Sequence, residues 1–103
     1  MKLWIDDVRP AHDGYIWVMS VNEAKSEFIG VDISNFNNIT NYIELIDIDH
    51  DAGDYASDGG DYIKLLDWLE ETGRNYPIHI HSMNPVGVEN MRRIIQRNGW
   101  KEV

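Results

Sequence analysis

Most of the side chains that could do acid–base or metal chemistry follow directly after short apolar runs of the chain. These side chains are Asp6, Asp7, Asp49, His50, Asp51, His81 and Ser82. Short apolar runs that are followed by helical patterns predict buried parallel strands. In an open parallel sheet the ligand site lies beyond the carboxyl ends of the strands, where these groups would converge. The sequence therefore predicts one functional site at that end of a sheet.

Carboxylates form the larger part of this predicted site. Asp6 and Asp7 are adjacent, and adjacent carboxylates repel each other unless a divalent cation or a basic group offsets their charge. With Asp49 arriving from a neighbouring strand, we expect Asp6, Asp7 and Asp49 to bind a divalent cation. Oxygen ligands favour Mg²⁺, Ca²⁺ or Mn²⁺, with Mg²⁺ preferred over Zn²⁺. Zinc or manganese becomes competitive if His50 or His81 joins the site, and a metal-free mechanism also stays open.

Two histidines are the candidates for proton transfer. His50 lies between Asp49 and Asp51, and His81 comes at the end of a later apolar run. Imidazole is the side chain best suited to general acid and base catalysis near neutral pH. We expect Asp51 or Asp7 to orient one of the two rings. The catalytic candidates are therefore His50, His81, Asp49 and Asp51.

Phosphate is the ligand that the remaining polar residues suit. Arg9 follows the acidic pair after one residue and is a candidate phosphate contact. Ser82 and Asn84 are further candidates at the start of a predicted helix, whose amides could hold an anion. The net charge of −9 opposes binding along an extended nucleic acid. We therefore expect a small phosphorylated ligand or a single RNA terminus as the partner.

An alternation of strand and helix patterns must position these groups. Strands are predicted at residues 2–6, 15–19, 43–48 and 78–81, and helices at 22–29, 61–72 and 86–98. The alternation predicts an α/β fold with three layers and a mainly parallel, flavodoxin-like sheet of strand order 2-1-3-4. The first crossover is short for a parallel connection, so an antiparallel pair there is an open alternative. Residues 100–103 are a candidate edge strand.

Three further expectations concern individual segments. Residues 31–42 are polar and rich in asparagine, with room for one short helical turn, and the glycosylation sequon at Asn38 carries no meaning in a cytoplasmic protein. Asp47 falls within a strand pattern, and we expect it at the solvated border of that strand. His79 shares a strand face with His81, and we expect it to be a core histidine with satisfied nitrogens.

The bulk composition sets the broad class. The 103 residues suit a single domain. The absence of cysteine excludes disulfides, thiol nucleophiles and thiolate metal sites. No apolar run is long enough for a membrane span, and the chain enters a strand pattern directly, so we expect no signal peptide and a cytoplasmic location.

Several of these residues resemble the site of two-component receiver domains. There an acidic pair and a phosphoacceptor aspartate bind magnesium, and a serine or threonine touches the phosphoryl group. The resemblance implies these roles for Asp6 and Asp7, for Asp49 and for Ser82. Two departures are the interval of residues 8–14, which is too short for the usual first helix, and the lack of the receiver Lys-Pro pair.

A receiver-related family, the cyclic-phosphate-processing receiver-like domains, resembles the chain more closely. The shared motifs are Trp4-Ile5-Asp6-Asp7-x-Arg9-Pro10, Asp49-His50-Asp51-x-Gly53 and His79-x-His81-Ser82-x-Asn84-Pro85-Val86-Gly87. This resemblance implies processing of the 2′,3′-cyclic phosphate ends of RNA or nucleotides, with His50 and His81 as general acid and base. The alternative is a degenerate receiver that binds phosphate and metal without catalysis, in which Asp49 accepts phosphate and the last helix contacts a partner protein.

Overall fold

A computed structural model describes residues 1–38 and 41–103 of the protein. These residues form a four-stranded sheet and three α-helices: β1 (Lys2–Ile5), β2 (Tyr15–Val18), α1 (Val21–Phe36), β3 (Leu45–Ile48), α2 (Ile63–Glu71), β4 (Ile78–Ile80) and α3 (Pro85–Asn98), with a 3₁₀ helix at Gly53–Ser57. All strands run parallel in the order β2-β1-β3-β4. The predicted α/β class, strand order and receiver-like sheet are confirmed.

The connection between β1 and β2 is unusually short. β1 pairs with β2 in parallel, with Lys2 opposite Tyr15, so the antiparallel alternative is wrong. Asp6 stabilises the turn after β1, because its Oδ1 accepts hydrogen bonds from the amides of Val8 and Arg9, at 2.9 and 2.8 Å. Such a carboxylate-capped turn replaces the helix that parallel crossovers normally need.

The two faces of the sheet are covered differently. Parallel crossovers are almost always right-handed. The connections from β2 to β3 and from β3 to β4 cross the sheet in one direction, and the connection from β1 to β2 crosses it in the opposite direction. Helices α1 and α2 therefore lie on one face of the sheet, and residues 6–14 lie on the other face. Buried residues of all three helices share one core with the alternate strand residues Leu3, Ile5, Ile46, Ile48 and Ile78. The third layer of the predicted arrangement is thus irregular chain rather than a helix.

Helix α1 is longer than the sequence pattern predicted. The prediction ended it at residue 29, but it continues to Phe36 because Val31 extends the buried stripe of Val21, Ala24 and Phe28. Residues 31–36, half of the segment predicted as polar and irregular, are therefore helical. Residues 39 and 40, which belong to that segment and complete the sequon at Asn38, lie outside the described residues.

The predicted edge strand at residues 100–103 is reduced to one bridge. Glu102 pairs with Ile78 in parallel, where the amide of Ile78 donates to the carbonyl of Lys101 at 2.9 Å. The other predicted strands and helices are present with ends shifted by one or two residues. Within the two described ranges, no helix combines the length and the apolar character that crossing a bilayer requires.

Candidate functional site

The carboxyl ends of β1 and β3 bring three carboxylates together. Asp6, Asp7 and Asp49 each offer one oxygen atom, and these atoms all lie within 4.8 Å of one another. The register explains the meeting, because Ile5 pairs with Ile48 and each strand then continues into its acidic residues. Asp6 is fully buried, whereas Asp7 and Asp49 are partly exposed. The cluster predicted from the sequence thus exists as a group of neighbouring oxygens.

Asp6 is an ionised carboxylate held by hydrogen bonds. Burial alone would raise its pKa, but hydrogen bonds from the amides of Arg9 and Val8 and from the imidazole of His81 outweigh burial and lower the pKa of Asp6. The carboxylate of Asp6 therefore caps the turn after β1 and also belongs to the acidic cluster.

Asp7 forms no ion pair with a basic side chain in the described ranges. Burial raises the pKa of Asp7, a hydrogen bond from its own backbone amide lowers it in part, and the nearby negative charges of Asp6, Asp49 and Asp54 raise it further. The backbone of Gly53, with φ of +55°, lies so close that a β-carbon there would collide with Oδ2 of Asp7 and come within 3.3 Å of its Cγ. A crowded set of oxygen ligands with uncompensated charge suits a hard divalent cation.

His81 lies between two carboxylates on the face of the sheet opposite the helices. Its Nδ1 donates to Oδ1 of Asp47 at 2.6 Å, and its Nε2 donates to Oδ2 of Asp6 at 2.9 Å. The ring also stacks on Trp4, with centroids 4.0 Å apart and planes 4° from parallel. Burial disfavours the charged ring, but the hydrogen bonds to Asp47 and Asp6 outweigh it and raise the pKa of His81. His81 is therefore a largely buried ring with both nitrogens engaged by carboxylates, which favours the imidazolium form.

Two expectations about neighbouring strand residues are wrong. Asp47 was expected at a solvated border, but it is only 7% exposed because it accepts the hydrogen bond of His81. His79 was expected in the core, but it is exposed, and its Nδ1 lies 2.7 Å from the carbonyl of Val103. Asp47 and His79 are partners in the strand register and lie on the face of the sheet opposite the helices.

His50 forms a second histidine–carboxylate pair. Its Nδ1 lies 2.9 Å from Oδ1 of Asp51, and this hydrogen bond, which outweighs a smaller effect of burial, lowers the pKa of Asp51. The side chain of His50 is 15% exposed, and its Nε2 makes no hydrogen bond to any residue in the described ranges. An imidazole oriented at Nδ1 and free at Nε2 is the arrangement that proton transfer requires.

The first turn of α3 adjoins this pair. Asn84 caps the helix, with its Oδ1 accepting from the amide of Gly87 at 3.0 Å, and its Nδ2 lies 3.4 Å from Oδ2 of Asp51. Ser82 accepts the amide hydrogen of Asn84 through its hydroxyl oxygen at 3.1 Å. Ser82 and Asn84 thus have turn-forming and capping contacts, and Asn84 reaches the edge of the site.

Arg9 is an exposed residue whose backbone lies against Asp6. Its amide and carbonyl are used, because the amide binds Asp6 and the carbonyl accepts from Nε1 of Trp4 at 2.8 Å. Its guanidinium makes no hydrogen bond or ion pair within residues 1–38 and 41–103. Arg9 is therefore anchored by its backbone, with a side chain available to an anion.

The sequence pattern predicted no role in the site for three residues that shape it: Trp4, Asp47 and Gly87. A signal existed for Asp47, because an aspartate inside an apolar strand has to find a hydrogen-bonding partner when it is buried. Trp4 and Asp47 also face each other in the strand register. Nothing in the sequence pattern singled out the contact of Gly87 with the ring of His50.

Comparison with known proteins gives one match. The sequence model of a family described as the cyclic-phosphate processing receiver domain matches residues 1–97. No curated protein and no solved structure matches the chain.

Proposed function

The chain belongs to the cyclic-phosphate processing receiver domain family, and on that premise we propose that it hydrolyses 2′,3′-cyclic phosphates of nucleotides or RNA termini. The observation that carries this proposal is the His50–Asp51 pair beside the carboxylate cluster, with Nε2 of His50 free. The net charge of −9 favours a small or terminal substrate over an extended RNA.

His50 is the group to which we assign proton transfer. In the hydrolysis a water oxygen bonds to phosphorus, the bond between phosphorus and one ribose oxygen breaks, one proton leaves the water and one reaches the departing oxygen. Nε2 of His50 carries one of these transfers while Asp51 fixes the tautomer and the orientation of the ring. The other proton is exchanged with solvent.

His81 has a different role in this proposal from the one that the sequence suggested. The expected acid–base pair was His50 with His81, but a ring that donates from both nitrogens to carboxylates has no free position for substrate. We assign to His81 the positioning of Asp6, whose oxygen belongs to the acidic cluster. Arg9 is the side chain that we assign to the phosphoryl oxygens, with Ser82 and Asn84 as further candidates.

A divalent cation fits the acidic cluster. Asp6, Asp7 and Asp49 would hold it through oxygen, which favours Mg²⁺ or Mn²⁺. When bound, the cation would neutralise negative charge on the phosphoryl group. The raised pKa of Asp7 supports this fit, because burial and neighbouring carboxylates disfavour its negative charge.

The test is turnover of nucleoside 2′,3′-cyclic phosphates and of a short RNA ending in one, with Mg²⁺, with Mn²⁺ and with a chelator. We expect wild-type turnover and a loss of about 10²- to 10⁴-fold in His50→Ala. His79→Ala is the matched control, because His79 is an exposed histidine outside the site, and it should keep wild-type activity. Undiminished turnover in His50→Ala would exclude the assigned role, and no turnover by wild type on either substrate would reject the activity.

A phosphoacceptor module is the second candidate, and the position of Asp49 within the acidic cluster favours it. In that case a small phosphodonor should transfer its phosphoryl group to Asp49. Intact-mass measurement would detect the adduct, which Asp49→Asn should abolish. An unmodified wild-type mass would count against this candidate.

A further inference from the structure

A glycine in the first turn of α3 lies directly against the ring of His50. A β-carbon built on Gly87 would collide with Cγ of His50 and come within 2.6 Å of Cδ2 and 2.8 Å of Nδ1. Gly87 is a buried helical residue and has no left-handed φ that would require glycine. Helices disfavour glycine relative to alanine. The contact with His50 is therefore the structural feature that explains the absence of a side chain at this position.

The same turn also contacts the carboxylate that orients His50. Asn84 binds the amide of Gly87 through Oδ1, and its Nδ2 lies 3.4 Å from Oδ2 of Asp51. One helical turn thus adjoins both the ring of His50 and its partner. Because Nδ1 is among the ring atoms that a β-carbon would crowd, a displaced ring would also lose its hydrogen bond to Asp51.

We propose that Gly87 is a positioning residue that fixes the imidazole of His50 for its function. The effect on turnover rests on the hydrolase activity proposed above, whereas the effect on the ring itself does not. A misplacement of about 1 Å costs catalysis about 100-fold. We expect Gly87→Ala to lower turnover to that extent and to move the His50 ring signals.

The experiment compares Gly87→Ala with Gly30→Ala. Gly30 is a helical glycine of α1 whose added β-carbon would have no heavy atom within 4 Å, so its substitution isolates the general effect of alanine in a helix. The readouts are circular dichroism for folding, the NMR signals of the His50 ring across pH, and turnover. Shifted His50 signals in folded Gly87→Ala, with unchanged signals in Gly30→Ala, support the proposal. Unchanged signals in folded Gly87→Ala overturn it.

A double variant decides the case in which Gly87→Ala does not fold. If the steric conflict is with the ring of His50, then Gly87→Ala should fold again in a His50→Ala background. Failure to fold in both backgrounds overturns the proposal. An inactive wild type would reject the hydrolase activity alone, because the ring signals and the double variant still test Gly87.

Discussion

Replacing His81 by alanine is expected to lower the free energy of unfolding by about 3–5 kcal/mol, the range typical of breaking a buried ion pair. The loss should fall mainly on Asp47, whose carboxylate has no other hydrogen bond within the described ranges. Asp6 keeps the amides of Val8 and Arg9. The stack on Trp4 adds about 0.5–1.5 kcal/mol. The stability of a whole domain is only about 5–15 kcal/mol, so the effect is large.

The pH dependence identifies the source of this loss. The folded-state pKa of His81 is raised, so its contribution is fully present below its ordinary value of 6.5 and disappears as the pH rises through the folded-state value. Wild-type stability should therefore fall above about pH 6.5, and His81→Ala should lack this decline. Urea unfolding followed by circular dichroism, from about pH 5 to about pH 9, measures both quantities.

Two further variants serve as controls for His81→Ala. His79→Ala removes an exposed histidine of the same strand and should change stability by less than about 0.5 kcal/mol. Asp47→Asn in the His81→Ala background removes the unpaired buried charge and should recover part of the loss. A loss below about 1 kcal/mol in His81→Ala, or a pH profile parallel to that of wild type, would refute the buried-imidazolium account.

Three other predictions concern the metal, a buried hydroxyl and a helix. Asp7→Asn should raise the melting temperature in chelator, because burial and neighbouring carboxylates disfavour the Asp7 charge. It should also remove the stabilisation that Mg²⁺ gives the wild-type protein. An equal rise in melting temperature with Mg²⁺ in both proteins would contradict this prediction. Tyr62→Phe should cost about 1 kcal/mol in urea unfolding, since the buried Tyr62 hydroxyl donates to the carbonyl of Met19 at 2.7 Å; no loss would be inconsistent. Gly30→Ala should gain about 0.5–1 kcal/mol in the same assay, and a loss would show an unseen contact.

The strands were predictable because their signals are local. Each apolar run alternates or is bounded by polar turn residues, and the acidic cluster follows from the end of β1 meeting the end of β3. The end of α1 was not predictable from composition, because Val31 alone carries the buried stripe past Gly30. A single apolar residue among polar neighbours is too weak a periodic signal.

The role of His81 could not be predicted for a different reason. Its partners Asp6 and Asp47 are 75 and 34 residues away in the chain, and the Trp4 ring on which it stacks belongs to another strand. A sequence pattern assigns residues to a face, but the cover of that face depends on tertiary structure. The contact between His50 and Gly87 joins the end of β3 to α3 and is equally non-local.

The missing helix between β1 and β2 also bears on how the chain folds. Lys2 pairs with Tyr15 on one side and with Leu45 on the other, so the first pairing closes a much shorter loop than the second. Loop closure entropy grows with the logarithm of loop length, which makes the first pairing cheaper by about 1 kcal/mol. Parallel sheets generally fold slowly because all their strand contacts are distant in sequence. Here β1 and β2 can meet early and offer a ready edge on which β3 and then β4 assemble.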